Sequence, residues 1–222
     1  MPCTTRPTEA QVLVLGVIPA CQNGFMKVEY DERKFTELVL LVAERLQSDR
    51  SGGATKLNKV LFFADFAHVR RTGRPITGAN YQKLRHGPAP RRMKPVRDAL
   101  ASAGDVRIAR EEFLGYEIHR VVPLRAADLS VFTTEELETV ERVLSDLDGL
   151  NARQVTELSH EEAGWRLVDE GEVIPYEAAL VGAVQVSTPT SRRLQAQVAE
   201  GYGLLPGDLR GSRRAGGLRR GA

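Results

Sequence analysis

Lys56-Leu57-Asn58-Lys59-Val60-Leu61-Phe62-Phe63-Ala64-Asp65-Phe66 is the stretch that decides how this chain folds. It runs on through Ala67 to about Arg70 with no proline or glycine, so it reads as one helix. Leu57, Val60, Leu61, Phe62, Phe63, Ala64, Phe66 and Ala67 put apolar side chains nearly all round it. Such a helix needs neighbours on most sides and belongs in a core. Lys56 and Lys59 stand one turn apart on it. They read either as rim lysines that snorkel their ammonium groups to water or as charge contacts to a partner.

The neighbours come from both flanks. Upstream, Asp31 is an N-cap, and Phe35, Leu38, Val39, Val42 and Leu46 follow at helical spacing to a helix end near Asp49. Ser51-Gly52-Gly53 is a turn. Downstream, residues 72–78 form a loop and 81–85 a short extended piece, and Gly87-Pro88-Ala89-Pro90 excludes a helix. A helix from about Arg91 to Ser102 carries Met93, Val96 and Leu100 on one face. Two strands, 105–110 and 116–122, are joined through Glu111–Gly115. Thr133 with Glu136 is a capping box ahead of Leu137, Val140, Leu144 and Leu147. Asn151 caps a short helix that ends near Leu158, and Ser159 with Glu162 reads as a second box before Trp165 and Leu167. Pro175 is a first-turn proline that opens 176–181. The expected fold is mainly α: a single compact helical domain with a small antiparallel β hairpin and flexible N- and C-terminal segments.

Composition narrows the class. With 222 residues, 42% hydrophobic and 27% charged, the chain suits one globular domain with some tail. No run approaches the ~18–20 apolar residues of a spanning helix, so no membrane partner is expected. Cys3 and Cys21 are the two cysteines, too few for a scaffold, which points to a reducing, cytoplasmic setting. Residues 1–25 read as a flexible extension or a miscalled start, because Met26 opens a run directly before the first good helix. Residues 186–205 include a candidate extra helix. Residues 206–222 read as a disordered basic tail, five arginines against Asp208, net +4. The whole chain carries +2 and residues 1–24 balance Arg6 with Glu9, so residues 25–205 are slightly acidic. A folded nucleic-acid binder keeps its charge on the body.

Catalytic signatures are missing from the sequence. His68, His86, His119 and His160 are scattered and no cysteine lies among them, so no metal site is expected. Ser159-His160-Glu161-Glu162 contains nucleophile, base and carboxylate types, but adjacent helical residues do not face one another. Capping accounts for Ser159 and Glu162. No Walker loop, G-x-S-x-G or dinucleotide fingerprint occurs. The expectation is a protein that is not an enzyme and has no cofactor. Arg70, Arg71, Arg74, Lys83, Arg85, Arg91, Arg92, Lys94 and Arg97 gather around the Gly-Pro loop. They form either an anion or nucleic-acid patch or a solvated face answered by acids such as Asp65 and Asp98. A helix followed by a hairpin also resembles a winged-helix module, although Glu111-Glu112 at the hairpin tip would repel phosphate.

The motifs together resemble the Panacea domain, the SocA-like antitoxin domain family of type II toxin–antitoxin systems. Residues 56–66 are similar to its K-L-x-K-L-L-Y-[FY]-A-D-F signature, with Phe62 and Phe63 where tyrosine is common. Residues 81–90 are similar to its Y-x-x-L-x-x-G-P-V-P, with Ala89 where valine is usual. Phe132–Leu137, Leu158–Trp165 and Ile174–Ala179 fit its later segments in order. The resemblance assigns 26–185 to this domain. It implies a bacterial or phage antitoxin that binds a cognate protein toxin, by direct contact or as an adaptor for an ATP-dependent protease. A nucleic-acid-binding regulator is the alternative. Tyr81, His86, Trp165 and Tyr176 combine apolar area with a polar tip, the type enriched at binding hot spots. With Lys56, Lys59, Arg85, Gly87 and Pro88 they are the candidate partner-binding residues.

Overall fold

A computed structural model describes residues 26–113 and 115–181. The expectations for 1–25, 186–205 and 206–222 lie outside the described residues. In chain order the elements are α1 (Glu32–Arg45), α2 (Ala54–Thr72), β1 (Tyr81–Gln82), β2 (Ala89–Pro90), α3 (Met93–Ala103), β3 (Val106–Phe113), β4 (Tyr116–Pro123), α4 (Thr134–Asp146), α5 (Ala152–Glu161), α6 (Ala163–Leu167) and β5 (Val173–Ile174). Short 3-10 turns follow α1, precede α4 and close the domain at Tyr176–Leu180.

The α2 helix is the axis, as its all-round apolar pattern requires. Leu57, Val60, Leu61, Phe62, Ala64, Phe66 and Val69 are buried on it. The α1, α4 and α5 helices and the closing turn all pack on α2. Gly73 ends it with a left-handed φ of +80°, the conformation a glycine adopts without penalty. The α1 helix starts where Asp31 accepts the Lys34 N–H at 2.9 Å. The Thr133–Glu136 capping box of α4 is formed, and Lys34 reaches across to hold Glu136 at 2.7 Å. That ion pair ties the start of α4 to α1.

Three expectations need correction. Glu111 and Glu112 are not at a hairpin tip. Strand β3 continues to Phe113, pairing Glu111 with Ile118 and Glu112 with Glu117. Buried Arg120 draws Glu111 in at 2.9 Å and donates to Leu46 O at 2.8 Å, so the ion pair extends the strand. Ser159 and Glu162 form no capping box, because α5 runs through Ser159 from a box made by Asn151 and Gln154. The Ser159 hydroxyl instead donates back to Thr156 O at 2.7 Å. Finally, Tyr81–Gln82 is the middle of a three-stranded sheet, β2-β1-β5, pairing Tyr81 with both Pro90 and Ile174. Two-residue strands leave too little periodicity to read from sequence.

Asp65 does not answer the basic cluster either. It is fully buried in the centre, on α2. Its carboxyl accepts from Thr77 N at 2.8 Å, Thr77 Oγ1 at 2.6 Å and Tyr81 Oη at 2.7 Å, and the Tyr176 hydroxyl lies 3.3 Å away. Burial raises this carboxyl above its ordinary range, and the bonds from Thr77 and Tyr81 work against that rise. Burial likewise raises both phenols, which therefore remain protonated donors. Phe62, Phe66, Tyr81 and Tyr176 pack around the group with ring centroids 4.2–6.3 Å apart.

Asp65→Ala leaves the Thr77 N–H and two phenols facing a void. It is expected to cost about 3 kcal/mol or more, whereas Asp65→Asn, which keeps the volume and an acceptor, costs about half of that. Urea unfolding followed by circular dichroism decides it. A loss below about 1 kcal/mol for the alanine variant would contradict the assignment.

Candidate partner-binding site

Lys56 and Lys59 of α2 are both 2% exposed, but their surroundings differ. Lys56 donates to Asp49 Oδ2 at 2.5 Å, Leu147 O at 2.8 Å and Leu150 O at 2.7 Å, which uses all three ammonium protons. Burial pushes the Asp49 carboxyl up, but the bonds from Lys56 and Ser51 pull it further down, below its ordinary value. The snorkelling expected for Lys56 therefore does not occur. This lysine pins the end of α4 and the segment after α1 to α2.

Lys59 donates only to Pro88 O, at 2.9 Å, and has no ion pair among the described residues. Burial lowers its pKa from 10.5 to about 8. Gly87 lies directly on it. A Cβ added at Gly87 would fall 2.7 Å from Lys59 Cε and 2.5 Å from Ser159 Oγ, and the glycine has a φ of +86°. Only glycine fits both the space and the backbone there. Leu84 O and Gly87 N close the turn at 2.8 Å, which leaves Arg85 and His86 on the outside.

The third contributor is the junction of α5 and α6. On one continuous helix His160 and Trp165 would be about 140° apart. Glu162 breaks the helix with extended backbone, ψ 133°, and its carboxylate is held by Arg70. The break lets the His160 ring stack on Trp165, with centroids 3.9 Å apart and planes at 14°. The Lys83 ammonium sits 4.3 Å from the Trp165 ring centre and donates to Val168 O at 2.8 Å. Burial first, then the positive fields of Lys59 and Lys83, lower the His160 pKa. His160 Nε2 and Trp165 Nε1 are both buried with no hydrogen-bond partner among the described residues.

Of the predicted residues, the structure brings Lys59, Gly87, Pro88, Arg85, His86 and Trp165 to this one region. Lys56, Tyr81 and Tyr176 are buried and bonded within the fold; Tyr176 Oη donates to Ala79 O at 2.7 Å and Tyr81 Oη lies 2.9 Å from Leu61 O. Sequence reasoning did not select Lys83, Ser159 or His160. The signal was present, since Ser159-His160 and Trp165 share one motif, but nothing local placed that motif over Lys59. The larger basic cluster is dispersed. Arg70 pairs with Glu162, Arg71 with Glu138, Arg92 with Glu32, and Lys94 and Arg97 with Asp98.

The two halves of this site lie on one recognisable unit. Residues 57–166 match the model of the family described as antitoxin SocA-like, Panacea domain. The chain thus carries a SocA-like Panacea domain, which supports an antitoxin role in general. No curated protein and no solved structure matches the chain. Among the described residues no helix is long and apolar enough to cross a membrane, and no cluster of three His, Cys, Asp or Glu could hold a metal.

The buried charge of Lys59 has a cost that can be measured. A pKa lowered from 10.5 to about 8 means that the unfolded chain binds the proton more tightly, a penalty of roughly 3 kcal/mol at pH 7. Lys59→Met, which also strands Pro88 O, is expected to be more stable by about 1–2 kcal/mol at pH 7. The penalty is full below pH 8 and fades as pH rises towards 10.5, so the advantage should shrink across that window. Urea unfolding at pH 7 and pH 9.5 tests both points. A variant less stable than the native chain at pH 7 would show that Lys59 is neutralised within the fold.

Proposed function

We propose that this chain is a cytoplasmic antitoxin that neutralises a cognate protein toxin by direct contact. The observation that carries this reading is the Panacea domain itself, with an exposed cationic turn and a half-buried tryptophan meeting on its surface. The site offers a binding chemistry: charge, an indole and an exposed leucine, with His160 stacked and Glu162 engaged by Arg70. We read it as a binding protein without a reaction of its own. A protein partner also suits the charge distribution better than nucleic acid, because most of the basic cluster is already paired with acids.

Co-expression with the product of the adjacent small open reading frame tests this. The neighbour alone should arrest growth, and this chain should restore growth and co-purify with it. Arrest that persists despite soluble expression of this chain would reject the reading. The toxin's half-life separates two routes. An unchanged half-life accompanies direct inhibition, and a half-life shortened only where an ATP-dependent protease is active indicates delivery for degradation.

A further inference from the structure

We propose that the turn 84–87, with Lys83, His160 and Trp165, receives an acidic segment of the protein partner: a carboxylate flanked by an apolar side chain. The inference rests on the antitoxin reading and adds what the toxin must present at this place.

Charge is the first argument. Arg70, Arg71, Arg92, Lys94 and Arg125 are answered by carboxylates, while Lys59, Lys83 and Arg85, gathered at this one turn, have no carboxylate partner among the described residues. Lys83 binds only a carbonyl and faces an indole. Arg85 and His86 are exposed, with no hydrogen bond or ion pair among the described residues. Lys59 adds its field from directly beneath the turn. The carboxylate whose field reaches His160 is Glu157, which is itself bonded to Arg153 at 2.9 Å. The cations Lys59, Lys83 and Arg85 concentrate positive charge at this turn, which favours an incoming carboxylate and speeds its encounter.

Unmet hydrogen bonding is the second argument. Among the described residues the Trp165 Nε1–H is a buried donor without an acceptor, and His160 Nε2 is a buried atom without a partner. A lone buried polar group costs on the order of 1–3 kcal/mol, and an acceptor oxygen brought to the Trp165 N–H would recover it. The third argument is the apolar flank. Leu84 is 36% exposed and belongs to the turn itself. Hot spots pair an anchor of this kind with a desolvated charge contact. A nucleic acid fits less well, since Trp165 is already stacked on His160 and capped by Lys83, so no free ring face is left for a base.

Trp165 is the sole tryptophan, so its emission reports on this site alone. The full chain is titrated with the peptide acetyl-Leu-Glu-Leu-Glu-Leu-amide, with its glutamine counterpart, and with a thymidine 20-mer. A saturable change in emission is expected with the acidic peptide, about tenfold tighter than with the glutamine peptide. Arg85→Glu combined with His86→Glu should abolish that preference. These two side chains make no contact that folding depends on, and circular dichroism confirms the fold. In co-expression the double variant should lose growth rescue. Equal binding of both peptides, no emission change up to about 10 mM peptide, tighter binding of the oligonucleotide, or undiminished rescue by the double variant would each overturn the proposal. If the native chain itself fails to rescue, the antitoxin reading falls, while the peptide titration still decides what the site binds.

Discussion

Asp65 is a fully buried carboxyl with no cation paired to it among the described residues, set in the middle of the core helix α2. Isolated, it would be expensive to bury. What makes it tolerable is that Thr77 and Tyr81 bring donors to it and the Tyr176 hydroxyl packs 3.3 Å from it. Those residues come from the loop after α2, from β1 and from the closing turn, which are otherwise only weakly regular. The carboxyl thus sets where three irregular segments lie on α2. Strand β1 follows from this, since Tyr81 pairs with Pro90 on one side and Ile174 on the other. The Gly87 turn lies between β1 and β2, so its position over Lys59 is inherited from the same group.

The two α2 lysines show how one motif can carry two purposes. Lys56 has a carboxylate and two carbonyls, so its burial holds the fold together at little net cost. Lys59 has a single carbonyl and a depressed pKa, so the fold holds it at an energetic loss. A residue kept charged in a place that disfavours charge is better explained by what approaches that place than by stability. The same holds for the unpaired atoms of His160 and Trp165. Three separate unmet needs meet under and beside one turn.

Much of the fold was legible because its strongest signals are local. Asp31, Thr133 and Asn151 cap helices where the sequence puts capping residues, and the period of 3.6 marks each helix face. The misreadings have a shared physical origin. Ser159 with Glu162 has the spacing of a capping box, yet Asn151 and Gln154 had already started that helix, so the serine was interior. Glu111 and Glu112 look like turn residues, yet Arg120, distant from α1 in sequence but packed under it, recruits Glu111 into the strand. The candidate residues divide along the same line. Tyr81 and Tyr176 carry the amphipathic chemistry of a binding surface, and only the position of Asp65 reveals that their hydroxyls are spent inside.

The placement of the site then follows from the economy of the fold. The segments that form it are the turn 83–88 and the break at Glu162 between α5 and α6. They are held from behind by strong internal contacts: Asp65 fixes β1, and Arg70 fixes Glu162 at the helix break. A surface built this way can leave Arg85 and His86 unpaired among the described residues without losing its shape, because neither is asked to hold it, while Lys83 helps to by its bond to Val168 O. Pre-formed geometry with unpaired charge lowers the ordering cost of association, so a contact of modest area can still be specific. The arrangement also explains why the basic residues nearby are not equivalent. Arg70 is consumed in building the site, and Arg85, fifteen positions later, is left free to be used by it.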